Sequence, residues 1–254
     1  MALEISLAGK VAVVTGAARG MGRAIALKFA DAGCAAIAVN DLRIDDDLHS
    51  LGGELRKRGS DVIVFEGDVS KSGVVSGLID AAVAKWGKID ILMNNAGIGR
   101  KVDIFGTSEE QWDKTLGINL KSVFMGMKSA GTYMKEQGYG VIINMASMSG
   151  VTGGSQGPDY SASKAGIIAL TKFGAKTLGK FGIRVLALAP GYIQTDLLDS
   201  LFTDPKFKAE RLAAIPMGRT GTPEEVANVA AFLASDLASY VSGDTILITG
   251  GRLS

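Results

Sequence analysis

Cysteine and histidine are nearly missing from this chain of 254 residues: Cys34 is the only thiol and His49 the only imidazole. An intramolecular disulfide is therefore excluded. So is a zinc site built from several Cys or His ligands, which argues against a zinc-type alcohol dehydrogenase; no metal site is expected. Cys34 is expected to be a small core residue. His49 lies in the polar run Asp45-Asp46-Asp47-Leu48-His49-Ser50 and is expected in a solvated loop or at a helix start. An excess of charge of one sign is also lacking. A net charge of +1 creates no field for nucleic acid or for an anionic membrane. No apolar run reaches the ~18 residues of a membrane span, and Met1–Ser6 lacks the basic region and long apolar core of a signal peptide. These absences leave a cytoplasmic enzyme acting on a small molecule, with no nucleic-acid or membrane partner, as the expectation.

Apolar residues and glycine are abundant. The hydrophobic fraction of 47% with 21% charged residues is that of a globular chain. The length suits one large α/β domain over residues 1–254, with no internal repeat and no long linker. Short β-branched runs predict strands at 11–14, 36–39, 62–65, 89–93, 141–144, 183–188 and 245–248. Between them, amphipathic patterns predict helices near 21–32, 48–58, 73–86, 111–136, 160–180 and 223–235. Continuous apolar strands alternating with helices read as a seven-stranded parallel sheet covered on both faces, a doubly wound α/β fold. Ligands of such sheets bind outside the carboxyl ends of the strands.

The first strand runs into Thr15-Gly16-Ala17-Ala18-Arg19-Gly20-Met21-Gly22, and a helix follows. Glycines at 16, 20 and 22 permit a tight turn and close approach of backbone to a pyrophosphate, while the helix start offers free N–H groups. No Gly-Lys-Ser/Thr closes the loop, so it is not a P-loop; the reading is a Rossmann-type dinucleotide site. The second strand ends at Asp41, 25 positions after Gly16, with Leu42 beside it. A carboxylate there suits the adenosine ribose hydroxyls and repels a 2′-phosphate, favouring NAD over NADP. The alternative is that Asp41 caps the next helix. Arg19 and Arg43 argue for NADP, since either can pair with that phosphate. Asp68, next to Val69 at the third strand end, is read as facing the adenine or as a capping residue.

Tyr160 and Lys164 stand four apart before an apolar stretch, a spacing that stacks both on one helix face. An ammonium beside a phenol favours the phenolate, which exchanges a proton with an alcohol or carbonyl oxygen. Ser147, 13 positions upstream, follows the fifth strand. Taken with Thr15-Gly16, Gly20-Met21-Gly22, Asp68, Asn94-Asn95-Ala96-Gly97, Asn119, Pro190-Gly191, Thr195 and the run from Pro216-Met217-Gly218-Arg219 to Thr222-Pro223-Glu224-Glu225, this order of motifs resembles the short-chain dehydrogenase/reductase family over nearly the whole chain. The resemblance implies an oxidoreductase acting on CH–OH groups. It implies Tyr160 as acid/base and Ser147 as hydrogen-bond partner of the substrate oxygen. Lys164 would hold the nicotinamide ribose and lower the tyrosine pKa, and Asn119 would extend the proton relay. It also implies that Asn95, Ala96 and Gly97 lie against the cofactor. Pro190, Gly191 and Ile193 would sit beside the nicotinamide and Thr195 at its carboxamide. A homotetramer is the family's usual assembly.

Leu186 and Thr249 depart from the family pattern, where Asn and Asp are usual. Gly153-Gly154-Ser155-Gln156-Gly157 matches the nucleophile elbow of hydrolases, but that motif needs a preceding strand, a following helix and a later histidine. The substrate pocket is expected from Met148, Ser149, Gly154, Gln156, Asp159, Ile98 and Tyr192, together with Ser147 and Tyr160. A lid is expected over residues 192–216, with Leu197, Leu198, Leu201 and Phe202 as its apolar face. Polar Gly154, Gln156 and Asp159 suggest a polyol or sugar-like secondary alcohol. The rival within the family is an NADPH-dependent 3-oxoacyl-carrier-protein reductase. That type carries basic residues before the fifth and sixth strands, where this chain has Tyr139-Gly140 and Phe181-Gly182 with only Lys180 nearby. A non-catalytic dinucleotide sensor or scaffold is the alternative of another class, and it conflicts with the presence of all of Asn119, Ser147, Tyr160 and Lys164.

Overall fold

The strands are predominantly apolar, and their apolar residues divide between two cores with period two, because each face of the sheet is covered by helices. In the first strand, Ala12 and Val14 belong to one core and Val13 to the other. In the sixth, Leu186 and Leu188 oppose Val185, Ala187 and Ala189 in the same way. The departure at Leu186 is thus accounted for, since it fills a fully buried core position.

The computed structural model of the chain describes residues 4–154, 156–196, 198, 202 and 204–252. In chain order the elements are β1 (Val11–Thr15), α1 (Gly20–Asp31), β2 (Ala36–Asp41), α2 (Asp46–Lys57), β3 (Asp61–Glu66), α3 (Val74–Trp86) and β4 (Ile91–Asn94). Then come α4 (Glu109–Leu116), a π-helical turn (Gly117–Lys121), α5 (Ser122–Gln137), β5 (Gly140–Met145), α6 (Ser149–Thr152) and α7 (Pro158–Leu178). β6 (Ile183–Pro190), α8 (Pro205–Ala213), α9 (Pro223–Ala234) and β7 (Thr245–Ile248) complete the order. The seven strands pair in parallel in the order β3-β2-β1-β4-β5-β6-β7. Strand order therefore reverses between β1 and β4, the switch point at which such sheets open a ligand crevice. Helices α1, α2 and α9 cover one face, and α3, α5 and α7 the other. Among the described residues, no helix is long and apolar enough to cross a membrane.

Three expectations change. The helix predicted over 111–136 is two helices joined by the π-helical turn. The apolar period runs through the join, so the pattern alone does not mark it. Strand β4 begins at Ile91, not Ile89, because the Ile89 N–H is taken by Gln137 Oε1 at 3.0 Å rather than by a strand. Asp41 is not the cap of α2: Asp45 fills that role, accepting from the Leu48 N–H at 3.0 Å. His49 lies exposed in α2, near its start.

Cys34 is buried, with Sγ 3.1 Å from the Lys10 carbonyl oxygen, and burial pushes its thiol up to about 12. Thiolate, the reactive form, is then scarce at neutral pH. We expect the native protein to resist an aromatic disulfide reagent at pH ~8 and to react with one equivalent when denatured. Fast labelling of the native form would show that the β1–β2 edge opens locally.

Candidate functional site

The turn from β1 into α1 is the most constrained backbone of the crevice. Gly16 has φ +64°, and a Cβ there would lie 2.7 Å from the Ala96 Cα. A Cβ on Gly22 would collide with the Gly16 carbonyl oxygen. Thr15 and Asn95 lock this approach. Thr15 Oγ1 accepts from the N–H groups of Asn95 and Ala96, each at 3.1 Å, and Asn95 Nδ2 donates to the Thr15 and Gly16 carbonyls at 3.0 and 2.8 Å. Unlike α2, α4 and α9, helix α1 has no side-chain cap; Arg19 precedes it in extended conformation. Its first N–H groups and dipole are left for an anion.

Beside that helix start runs a cleft of about 360 Å³. Gly16, Arg19, Gly20, Met21 and Gly22 form one wall and Asn95, Ala96 and Gly97 the other, while Asp41, Leu42, Asp68 and Val69 close the end. Asp41 Oδ2 accepts from the Ala18 N–H at 2.9 Å and Oδ1 from the Leu42 N–H at 2.8 Å, so the carboxylate ties the glycine loop to the end of β2. Asp68 accepts from the Ser70 N–H at 2.9 Å. Burial acts to raise its pKa, but the bonds from Ser70 outweigh it and hold the carboxyl below its ordinary range. Asp68 does not cap α3, whose N-cap is Gly73. Arg19 stands 3.6 Å from Asp196, and the exposed Arg43 does not line the cleft. An uncapped helix start, glycines that a Cβ would block and a terminal carboxylate fit a nicotinamide dinucleotide. The residues that would hold it are those of the loop, Asp41 and the β4 end.

A second pocket continues from this cleft; the two share Met21, Asn95, Gly97 and Thr195. Ser147, Tyr160 and Lys164 line it and all are buried. Lys164 Nζ donates to the Met145 carbonyl at 2.7 Å and lies 5.6 Å from the centre of the Tyr160 ring. Ser147 Oγ accepts from the Ser149 N–H at 3.1 Å and lines the pocket together with Tyr160. Asn119 sits in the π-helical turn, fully buried. Its Oδ1 accepts from the Ile98 N–H at 2.8 Å, and Nδ2 donates to the Ile98 carbonyl at 2.9 Å and to Ser163 Oγ at 3.1 Å. The wide turn thus fastens the exit of β4 to α7, the helix that carries Tyr160 and Lys164. Gly97 at the strand end lies against both groups: a Cβ there would stand in van der Waals contact, 3.4 Å from Asn119 Oδ1 and from Lys164 Nζ.

One electrostatic expectation reverses. Burial pushes the Tyr160 phenol above its ordinary value, and the neighbouring Ser147 hydroxyl recovers only part of that. Burial also pushes Lys164 down to about 8. The sequence predicted a lowered tyrosine from the spacing, but desolvation penalises the charged form of both groups together.

The structure brings together every residue expected around the dinucleotide: Pro190, Gly191, Ile193 and Thr195 line the second pocket with Tyr160 and Lys164. Met148, Ser149, Gly154, Gln156 and Tyr192 line it as well. Two residues expected there do not. Asp159 is buried against α4, accepting from Thr115 Oγ1 at 2.6 Å, and Ile98 lines the dinucleotide cleft instead. The Gly153–Gly157 segment connects α6 to α7 with no strand before it, so the hydrolase motif has no elbow; Ser155 itself lies outside the described residues. Of the expected lid, Leu197 and Leu201 also lie outside them. Leu198 is buried in the pocket, and Phe202 packs on Tyr192 with ring centres 5.2 Å apart. Arg252 lines the pocket and was missed: it belongs to no motif, and only the chain's final turn carries it there.

Fold and crevice together define an α/β oxidoreductase that uses a dinucleotide. Residues 16–252 match the family model described as enoyl-(acyl carrier protein) reductase. A 3-oxoacyl-(acyl-carrier-protein) reductase of Staphylococcus aureus is 39% identical over 95% of this chain and 97% of its own length. The 2-dehydro-3-deoxy-D-gluconate 5-dehydrogenase of Escherichia coli is 40% identical over 98% and 97%. The crystal structure of a short-chain type dehydrogenase/reductase from Mycobacterium marinum superposes with a TM-score of 0.91 at 35% identity, covering 98% of this chain and 97% of that one. The chain belongs to the short-chain dehydrogenase/reductase family of NAD(P)-dependent oxidoreductases.

Proposed function

We propose that this protein interconverts a polyol- or sugar-like secondary alcohol and its ketone, using NAD. The observation that carries the reading is the buried pair of hydroxyls, Ser147 and Tyr160, placed where the pocket meets the dinucleotide cleft. Tyr160 exchanges the proton with the substrate oxygen, as phenol giving it to the ketone and as phenolate taking it from the alcohol, and Ser147 donates to that oxygen as charge develops on it. The Lys164 ammonium, held by the Met145 carbonyl, favours that charge. Asn119 positions α7 through Ile98 and Ser163. A bound nicotinamide supplies the hydride acceptor. The 5-dehydrogenase relative is named for a sugar-acid substrate, which supports the sugar-like class.

The preference for NAD rests on Asp41, whose carboxylate lines the end of the cleft while its two oxygens accept from the Ala18 and Leu42 N–H groups. Assays of secondary alcohols, polyols and acyl thioesters with NAD and NADP separately test the whole reading. We expect NAD to be favoured, and Asp41→Asn to raise kcat/KM with NADP by about 10–100-fold, the size of one relieved charge repulsion near the surface. A wild-type preference for NADP would overturn the role given to Asp41.

Reduction of a 3-oxoacyl thioester is the second reading, favoured by the 39% identity to the Staphylococcus aureus reductase. Turnover confined to acyl thioesters would replace the first reading with it. A homotetramer is part of the proposal. The groove along α4, the π-helical turn, α5 and α7 leaves Phe124 and Phe173 exposed, and pairing of copies would cover them.

A further inference from the structure

Arg252 is an unusual wall for a pocket that receives a neutral polyol. The turn Gly250-Gly251 delivers it: both glycines have positive φ, +63° and +88°, and they pack on Ile215 and Pro216. The guanidinium then lies 4.6 Å from the centre of the Tyr192 ring. Its Nε is buried and has no hydrogen-bond partner, and its other guanidinium nitrogens make no hydrogen bond to a described residue; only its backbone N–H is engaged, with the Thr249 carbonyl at 3.3 Å. Among the described residues, no Asp or Glu lines this pocket, while Lys164 adds a second cation. In the same pocket, Gln156 Oε1 is also buried without a partner and stands near the Tyr160 ring. An unpaired buried donor and acceptor are costly unless a ligand meets them.

We propose that Arg252 reads a carboxylate of the substrate, so that the alcohol oxidised belongs to a short polyhydroxy acid. The planar fork of an arginine matches a carboxylate with two parallel bonds, and stacking on Tyr192 fixes the plane of that fork. Gln156 accepts from a hydroxyl of the same molecule. The inference rests on the assignment of Ser147 and Tyr160 as the reacting end of the pocket, and it names what the other end recognises.

Matched pairs of probes test it: the aldonates of four to six carbons, D-gluconate included, each against the alditol with the same hydroxyl chain. Binding to the NAD-saturated enzyme and kcat/KM are both measured, in the wild type, Arg252→Met and Arg252→Lys, with NAD affinity as the folding control. At least one aldonate is expected to be preferred over its alditol. Arg252→Met should cut that preference by about 10–100-fold, through binding and KM rather than kcat, and Arg252→Lys should restore part of it. Turnover of alditols with no aldonate preferred would sink the role of Arg252 and leave the dehydrogenase reading standing. An aldonate preference that survives in Arg252→Met would sink it too. Failure to oxidise any secondary alcohol would bring down the dehydrogenase reading first.

Discussion

Tyr160→Phe is expected to lower kcat for alcohol oxidation by about 10²–10⁴-fold while leaving KM nearly unchanged. The ring is buried at the junction of pocket and cleft, so phenylalanine keeps its packing and loses only the hydroxyl. What goes with that hydroxyl is the group that exchanges the proton with the substrate oxygen. Binding of substrate and dinucleotide uses other groups, which is why the loss should fall on kcat. Steady-state kinetics with NAD affinity measured in parallel decides the matter. Turnover left intact in the variant would end the assignment of Tyr160 as acid/base.

Lys164→Met should lose activity and gain stability, two effects of opposite sign from one buried charge. Removing the ammonium near the developing oxyanion is expected to cost about 10²–10³-fold in kcat. The stability gain follows from burial, which pushes Lys164 down to about 8 in the folded protein. The unfolded chain releases the same proton near pH ~10.4. Between these values the unfolded state binds more protons, so the wild type grows more stable as pH rises through that window. Below pH ~8 the folded protein carries the full net cost of the buried charge, on the order of 3 kcal/mol. Tyr160 and Cys34 hold their protons above the ordinary range in both proteins, so their contributions cancel in the difference. Denaturant unfolding of both proteins from pH ~7 to pH ~10.5 should show the variant ahead at the low end and the gap closing at the high end. A gap independent of pH would mean that Lys164 does not titrate in the fold.

The local code was strong where chemistry and backbone geometry reside in consecutive residues. Strand runs such as Val11–Val14 announce themselves, because burial on both faces demands apolar residues at every position. The glycine loop is legible because only glycine tolerates the close approach at Gly16 and Gly22. Tyr160 and Lys164 are legible because one helix turn fixes their spacing. Asn119 could be named from its motif but not placed, since the π-helical turn that points it at Ile98 and Ser163 leaves the apolar period of the segment intact. Asp159 was misplaced for a similar reason: its neighbours in sequence line the pocket, and Thr115 draws its carboxylate away from it.

By itself the sequence determined the doubly wound parallel sheet, the family and most of the residues gathered at the crevice, because these depend on patterns within single strands, turns and helices and on the order in which such motifs follow one another. Tertiary structure alone decided the ionisation of Tyr160 and Lys164, which follows from how completely neighbouring elements exclude water from them. It alone decided that Arg252, at the far end of the chain, enters the pocket beside Tyr192. Desolvation and the meeting of distant segments are properties of packing, and no spacing along the chain encodes them.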